Sequence, residues 1–152
     1  MVIRCITANE AGEDSALVAG LVRVFCEARR ARLSFMMEIH DAEEDRRFLS
    51  GRMLAENEVW IGEVEGEMAG FIAFAGGWVN QLYVSPKFQG MGVGSRLLEV
   101  AKGSGGRLEL WVFAENEPAI AFYERRGFRI VERTDGARNE AKRADMRMVW
   151  EG

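Results

Sequence analysis

A glycine turn set between a strand and a helix constrains this chain more than any other feature. The residues are Gln89-Gly90-Met91-Gly92-Val93-Gly94. Before them runs Leu82-Tyr83-Val84-Ser85-Pro86, an apolar β-type segment closed by a proline. After them comes Ser95-Arg96-Leu97-Leu98-Glu99-Val100-Ala101-Lys102, with apolar residues three and four apart as in a helix. Alternating glycines at a helix N-terminus expose backbone N–H groups with no side chains in the way. Those groups lack intrahelical partners, and the helix dipole adds partial positive charge there. The turn therefore suits a phosphate or pyrophosphate.

Three phosphate-binding readings compete. A P-loop needs a Gly-Lys-Ser/Thr ending, with the lysine reaching the phosphates and the hydroxyl binding magnesium. Here Gly94 is followed by Ser95 and Arg96, so the lysine is missing. A dinucleotide fingerprint could use Gly90 and Gly92, with Glu109 as the ribose-binding acid, but its third glycine position holds Ser95. The preceding segments also look like antiparallel hairpins, and too little chain remains for a second nucleotide-binding half.

The third reading draws on a second motif. Asn116-Glu117-Pro118-Ala119-Ile120-Ala121-Phe122-Tyr123-Glu124-Arg125-Arg126-Gly127-Phe128 sets an asparagine after a strand, then a helix carrying Phe-Tyr, then Gly-Phe opening the next strand. Together with the Gln-x-x-Gly-x-Gly turn, it resembles the two hallmarks of the GNAT N-acetyltransferases, in their order and context. The resemblance covers Val59 to Val131 and implies a bacterial single-domain acetyltransferase. It also implies a mixed central sheet whose parallel strand pair splays apart to hold acyl-CoA.

Composition agrees with a soluble enzyme of that kind. The chain has 152 residues, 48% hydrophobic and 29% charged, so one domain over residues 1–152 with a substantial core is expected. Acidic residues outnumber basic ones, 24 to 20, which disfavours a nucleic-acid binder. Neither a signal peptide nor a transmembrane span is visible, and a cytoplasmic location is expected. Cys5 and Cys26 read as small core residues, with no spacing for a disulfide framework or metal site.

Along the chain, Val2 to Thr7 reads as a strand. Asp14 offers an N-cap for a helix from Ser15 to Arg32, with Leu17, Leu21, Val24, Phe25 and Ala28 as its apolar stripe. A second helix runs from Asp41 or Ala42 to Ala55. Val59–Val64, Met68–Ala75 and Trp78–Val84 are joined by short turns and must be antiparallel neighbours. The helix from Gly92 to Lys102 then crosses over to Leu108–Val112, which should run parallel to Trp78–Val84. A helix from Pro118 to Arg126 precedes a strand from Phe128 to Arg133. After a polar loop, Asp145–Trp150 returns as an antiparallel edge strand. This order demands an α/β fold with a mixed sheet and flanking helices.

The resemblance implies roles for particular residues. The N–H groups of Gln89, Gly90, Gly92 and Gly94, with Ser95 adjacent, would hold the pyrophosphate of acetyl-CoA, the cosubstrate. Main-chain groups of Leu82 and Val84 would pair with pantetheine like an extra strand, with Tyr83 between them also at the cofactor, and an N–H at Leu82 or Val84 would serve as oxyanion donor. Tyr123 would protonate the departing thiolate, since a phenol with a pKa of about 10 keeps its proton at neutral pH. Phe122 packs beside it, and Asn116 would sit near the pantetheine arm while also suiting a turn or N-cap before Pro118. No metal is implied.

The base and the acceptor are less legible. Trp78-Val79-Asn80-Gln81 sets amides where the family often has an acid; Asn80 and Gln81 could hold a base water or a polar substrate. Glu63, Glu65 and Glu109 read as solvated or structural charges. His40, the single histidine, reads first as a helix-start residue beside Asp41, Glu43 and Glu44, although an imidazole's unperturbed pKa near 6.5 suits a base. Phe35, Met36 and Met37 could line an acceptor pocket. Thr134-Asp135-Gly136, Asn139-Glu140 and Ala144-Asp145 resemble a bacterial GNAT subgroup, in a loop that should overhang the acceptor side. A homodimer is a further expectation of the resemblance, with Met146, Met148 and Trp150 as interface candidates. Acetyl transfer to a small-molecule or peptide amine is the function implied. The alternatives are a protein N-acetyltransferase and a non-catalytic acyl-CoA-binding module on the same fold.

Overall fold

The computed structural model describes residues 1–12, 14–35 and 41–152. Seven strands among the described residues join one mixed sheet in the order β1-β2-β3-β4-β5-β7-β6. The strands are β1 (Val2–Ile6), β2 (Glu58–Val64), β3 (Glu67–Ala75), β4 (Trp78–Val84), β5 (Leu108–Phe113), β6 (Arg129–Thr134) and β7 (Asp145–Trp150). Every neighbouring pair is antiparallel except β4 and β5, as the helical crossover between them requires.

Helix α1 (Ala16–Arg32) buries Val18, Leu21, Val24, Phe25 and Ala28, which recur at helical spacing on one face. Its N-cap is Ser15, whose hydroxyl accepts from the Val18 N–H at 3.2 Å, rather than Asp14 as the sequence suggested. Helix α2 (Ala42–Arg47) begins at an Asp41 cap and runs through a π turn (Phe48–Arg52) into α3 (Met53–Glu56). Helices α4 (Val93–Lys102) and α5 (Glu117–Glu124) follow β4 and β5 in the chain.

The sheet separates two cores. One joins α1, the α2–α3 segment and Val59, Ile61, Phe71 and Ala73, with Tyr83 packed against it. The other joins α4, α5 and β5 to β7, with Leu82 and Val84 packed against it. Alternation along β4 thus sends Tyr83 to one face and its two neighbours to the other. No described helix is long and apolar enough to cross a membrane.

Two further expectations are corrected. Strand β7 is not an edge: it lies between β5 and β6. Its buried Met146, Met148 and Val149 need cover on both sides, whereas β6 carries Arg129, Glu132 and Arg133 and tolerates the solvent edge. Met146 and Met148 are therefore spent on the chain's own core, with Trp150 packed against it, and give no support to a dimer interface. Cys5 is exposed, because on edge strand β1 it is Ile6 that turns inward.

The loop from β6 to β7 is knitted by its own side chains. Asp145 accepts from the Thr134 hydroxyl, and Asn139 Nδ2 donates to the Arg143 carbonyl at 2.6 Å and to Asp145 Oδ2 at 3.2 Å. Gly136, at φ +84°, lies against the Arg143 backbone: a Cβ there would stand 2.2 Å from the Arg143 carbonyl oxygen. Gly136→Ala should lower unfolding free energy by about 2 kcal/mol or more, through clash added to left-handed strain. Gly66→Ala, at φ +79° with open space around it, should cost only about 1 kcal/mol. Urea unfolding of the two variants side by side checks the difference.

Candidate active site

Strands β4 and β5 pair only at their beginning. Trp78 opposes Glu109, and the Glu109 N–H donates to the Gly77 carbonyl at 2.8 Å. Beyond that point they part. The cause lies in β4: opposite β3, Gln81 pairs with Ala73 but Val79 pairs with Phe74, so Asn80 is an extra, unopposed residue. Such a bulge sharpens the local twist and bends its strand. Past the bulge, Ser85 N–H donates to the Ala69 carbonyl at 2.8 Å, which sets the alternation. Tyr83 and Gln81 turn their backbone groups to β3, while Leu82 and Val84 turn theirs into the gap.

The gap opens into a cavity of about 570 Å³ between β4, α4 and α5, a size suited to a small-molecule site. Leu82, Tyr83, Val84, Gln89, Gly90, Gly92, Gly94, Ser95, Asn116, Phe122 and Tyr123 all line it, so every residue expected to hold acyl-CoA comes to one place. Gly92 caps α4 in the left-handed conformation, φ +83°, without a capping side chain. Arg96 is the first N–H of the helix to bond, to the Gly92 carbonyl at 3.1 Å. The first-turn N–H groups of Val93, Gly94 and Ser95 are left for a ligand. One expected donor is already engaged: the Gln89 N–H donates to the Pro86 carbonyl at 3.3 Å. The Gln89 side chain instead accepts from Arg32 at 2.9 Å and donates to the Val84 carbonyl at 3.4 Å.

Tyr123 is buried among aromatic rings, with Phe122 at 5.3 Å and Phe128 at 5.4 Å. Burial, and secondarily the nearby Tyr83, pushes its phenol well above the ordinary value. Asn116 stands at the N-cap position of α5 but makes no capping bond; its Oδ1 is buried without a hydrogen-bond partner.

The other candidates lie elsewhere. Asn80 is exposed and donates to Asn57 Oδ1 at 2.8 Å. Gln81 does not line the cavity. Phe35 packs edge-on to Phe113 at 5.2 Å under the Arg143 guanidinium, tying the end of α1 to the β6–β7 loop. His40, Met36 and Met37 lie outside the described residues. Glu63 is paired with Arg4 and Glu109 with Arg147 and Arg107, as structural charges; Glu65 sits exposed in the β2–β3 turn. Among the described residues, no three His, Cys, Asp or Glu side chains gather as a metal site would need.

Sequence reasoning missed the cations around the cavity. Arg32, Arg125 and Arg126 line it. Arg126 Nε donates to Ser95 Oγ at 2.8 Å, its Nη1 donates to the Phe122 carbonyl at 2.9 Å, and its guanidinium stacks 3.7 Å from the Phe122 ring centroid. Burial, then Arg125 beside it, pulls the Arg126 pKa down. The spacing of Phe122 and Arg126, one helical turn apart, was the available signal. Arg126→Ala should cost about 1–2 kcal/mol in urea unfolding, since it removes a charge-assisted bond to Ser95 on α4 and another to the Phe122 carbonyl of α5.

A profile described as "Acetyltransferase (GNAT) family" matches residues 24–128. The chain is 30% identical over 129 residues to the peptidyl-lysine N-acetyltransferase YjaB of Escherichia coli, covering 84% of this chain and 82% of YjaB. It is 34% identical over 80 residues to the peptidyl-lysine N-acetyltransferase YiaC of the same organism, covering 52% of this chain and 55% of YiaC. The chain thus spans about half the length of some curated relatives. The solution structure of apo-form YjaB superposes with a TM-score of 0.77 at 24% identity, covering 100% of this chain and 99% of the other. PaiA N-acetyltransferase of Thermoplasma acidophilum, solved with coenzyme A, gives 0.69 at 18%, with both chains covered fully (100%).

Proposed function

This chain belongs to the acetyltransferase (GNAT) family, and on that premise we propose that it moves the acetyl group of acetyl-CoA to a primary amine by direct attack in a ternary complex. The names of YjaB and YiaC favour the ε-amine of a peptide lysine as the acceptor. The observation that carries the reading is the convergence of Tyr123, the Leu82 and Val84 N–H groups turned away from β3, and the open helix terminus on one cavity. An enzyme of this kind works where acetyl-CoA is made available, which favours a cytoplasmic location.

The residues fit the cosubstrate. The buried, unpartnered Oδ1 of Asn116 is an acceptor awaiting a donor, as an amide N–H of the pantetheine arm would supply. Backbone groups of Leu82 and Val84 offer the arm the edge of a strand. The first-turn N–H groups of α4 suit the pyrophosphate, with Arg32, Arg125 and Arg126 adding positive charge nearby.

The chemistry follows from these groups. A neutral amine attacks the thioester carbonyl carbon, forming the C–N bond and an oxyanion. The N–H of Leu82 or Val84 stabilises that oxyanion. The amine gives up its proton to water. Collapse breaks the C–S bond, and Tyr123 supplies a proton to the thiolate, later regaining one from solvent. Because burial raises the Tyr123 pKa, the phenol stays protonated where an exposed phenol would begin to ionise. The pH profile should therefore show no fall caused by Tyr123 up to the ordinary phenol range.

Free-thiol release and mass spectrometry of the acceptor, with acetyl-CoA and a panel of lysine peptides, polyamines and amino acids, test the reading. A panel with no thiol release despite tight acetyl-CoA binding would instead support the non-catalytic module. Gly92→Asp sets a carboxylate against the phosphates and should weaken acetyl-CoA binding at least tenfold by calorimetry. Tyr123→Phe keeps the ring but removes the proton, so turnover should fall by about a hundredfold to ten-thousandfold where chemistry limits the rate. Acetyl-CoA affinity should change little. Full turnover under those conditions would reduce Tyr123 to packing.

A further inference from the structure

The cavity is cationic in a chain that is not. The protein carries a net charge of -4. Yet among the described residues that line the cavity three are arginines, Arg32, Arg125 and Arg126, and none is an aspartate or glutamate. Like charges gathered in a partly buried site repel one another unless an anion joins them. Two of the three already hold neutral groups. Arg32 donates to the Gln89 side-chain oxygen at 2.9 Å, which ties it to the glycine turn. Arg126 donates from Nε to the Ser95 hydroxyl at 2.8 Å and from Nη1 to the Phe122 carbonyl at 2.9 Å. These partners fix the guanidinium groups in place but leave their charge unbalanced.

Arg125 differs from both. It is the C-cap residue of α5, it is exposed, and its side chain has no hydrogen bond or ion pair among the described residues. Exposed yet lining the cavity, it stands at the mouth. Its charge is felt next door: after burial, Arg125 is what lowers the Arg126 pKa, and Glu99 offsets this only in part. Glu99 is itself paired with Lys102 at 3.5 Å. The two neighbouring arginines thus share one unmet requirement, an anion at the mouth. A pyrophosphate at the glycine turn does not meet it. That group has the first-turn N–H groups of α4 and Arg32 beside Gln89. Arg126 reaches the same turn through Ser95, and Arg125 lies beyond it. The anion that suits Arg125 is therefore a second one, outside the pyrophosphate. CoA carries such a group, a phosphate monoester one ribose away, with a charge of about −1.5 to −2 at neutral pH.

We propose that Arg125, with Arg126 behind it, binds the ribose 3′-phosphate of the cosubstrate, so that the protein selects donors that carry this phosphate. This rests on the acetyl-CoA reading. A guanidinium edge meets two phosphate oxygens at once, and Arg125 has all its donors free for that purpose. Arg126, held by Ser95 and stacked on Phe122, adds a fixed charge beside it. The phosphate in turn relieves the repulsion between the two cations. A thioester on phosphopantetheine alone, without the 3′-phosphate, is then a poorer donor. Arg125 acts on donor selection and not on the chemical step.

The test is calorimetry with CoA and dephospho-CoA, at low ionic strength where screening is least. Wild-type protein should bind CoA about tenfold or more tightly than dephospho-CoA. Arg125→Gln should erase most of that preference, chiefly by weakening CoA, and Arg125→Lys should keep part of it. Arg32→Gln, at the glycine turn, should weaken both ligands alike and preserve the ratio. Arg125→Gln should melt with the wild type, since the side chain is exposed and holds no described partner. Equal binding of the two ligands by wild type overturns the proposal, as does a preference that survives in Arg125→Gln. Binding of neither ligand overturns the cosubstrate reading and the proposal with it. A free-thiol assay with acetyl-CoA keeps the two readings apart. A preference for CoA without thiol release would count against acetyl transfer while leaving phosphate binding by Arg125 in place.

Discussion

The parting of β4 from β5 is the constraint on which the rest of this structure depends. A central pair of strands normally satisfies its backbone by mutual hydrogen bonding. Here the ladder stops after Trp78 and Glu109, and the groups of Leu82 and Val84 face a cavity. The divergence traces to the one extra residue, Asn80, opposite the Ala73–Phe74 step of β3. The sheet interior around it is otherwise closely filled: Phe71, Ile72, Leu97, Leu98, Leu108 and Met148 are fully buried. A rigid surround lets a gap persist where a softer core would collapse into it.

Local motifs build one side of the cavity. The glycine turn places the start of α4, and the Asn116–Phe128 segment places α5 so that Phe122 and Tyr123 face the gap. Arg126 then locks the two helices together through Ser95 and the Phe122 carbonyl. The side toward α1 depends on distant parts of the chain: Ala28, Arg32 and Leu33 line the cavity there, and Arg32 reaches Gln89 at 2.9 Å. The glycine-turn side of the cavity is accordingly the one a motif captures, and the side toward α1 is the one it does not.

The electrostatics divide in the same way. On the helix side the positive character comes from backbone N–H groups and from arginines at the cavity, which suit the multiple charges of a phosphate ligand. On the α1 side the Arg29 guanidinium is buried over the Phe25 ring, with the Asp45 carboxylate 4.0 Å from its Nη1. The carboxylates that a sequence reading might recruit as bases, Glu63 and Glu109, are occupied in ion pairs with arginines of neighbouring strands. Their place in the sheet explains why they carry structure instead.

By itself the sequence determined the element order, the strand and helix types, the parallel crossover and the phosphate-suited turn. Each depends on residues within a few positions of one another, where backbone geometry and hydrophobic period act directly. Tertiary structure alone decided that β7 is interior, that Cys5 is exposed, and that Asn80 is a bulge residue turned to Asn57. It also decided that the Gln89 N–H is already spent on Pro86, that Asn116 Oδ1 is left unpaired, and that Arg29 is buried over Phe25 and Tyr83. These outcomes depend on which distant surfaces meet and on which polar groups that packing leaves without a partner. No local pattern carries that information, because the same residue costs or contributes free energy according to what the rest of the chain places beside it.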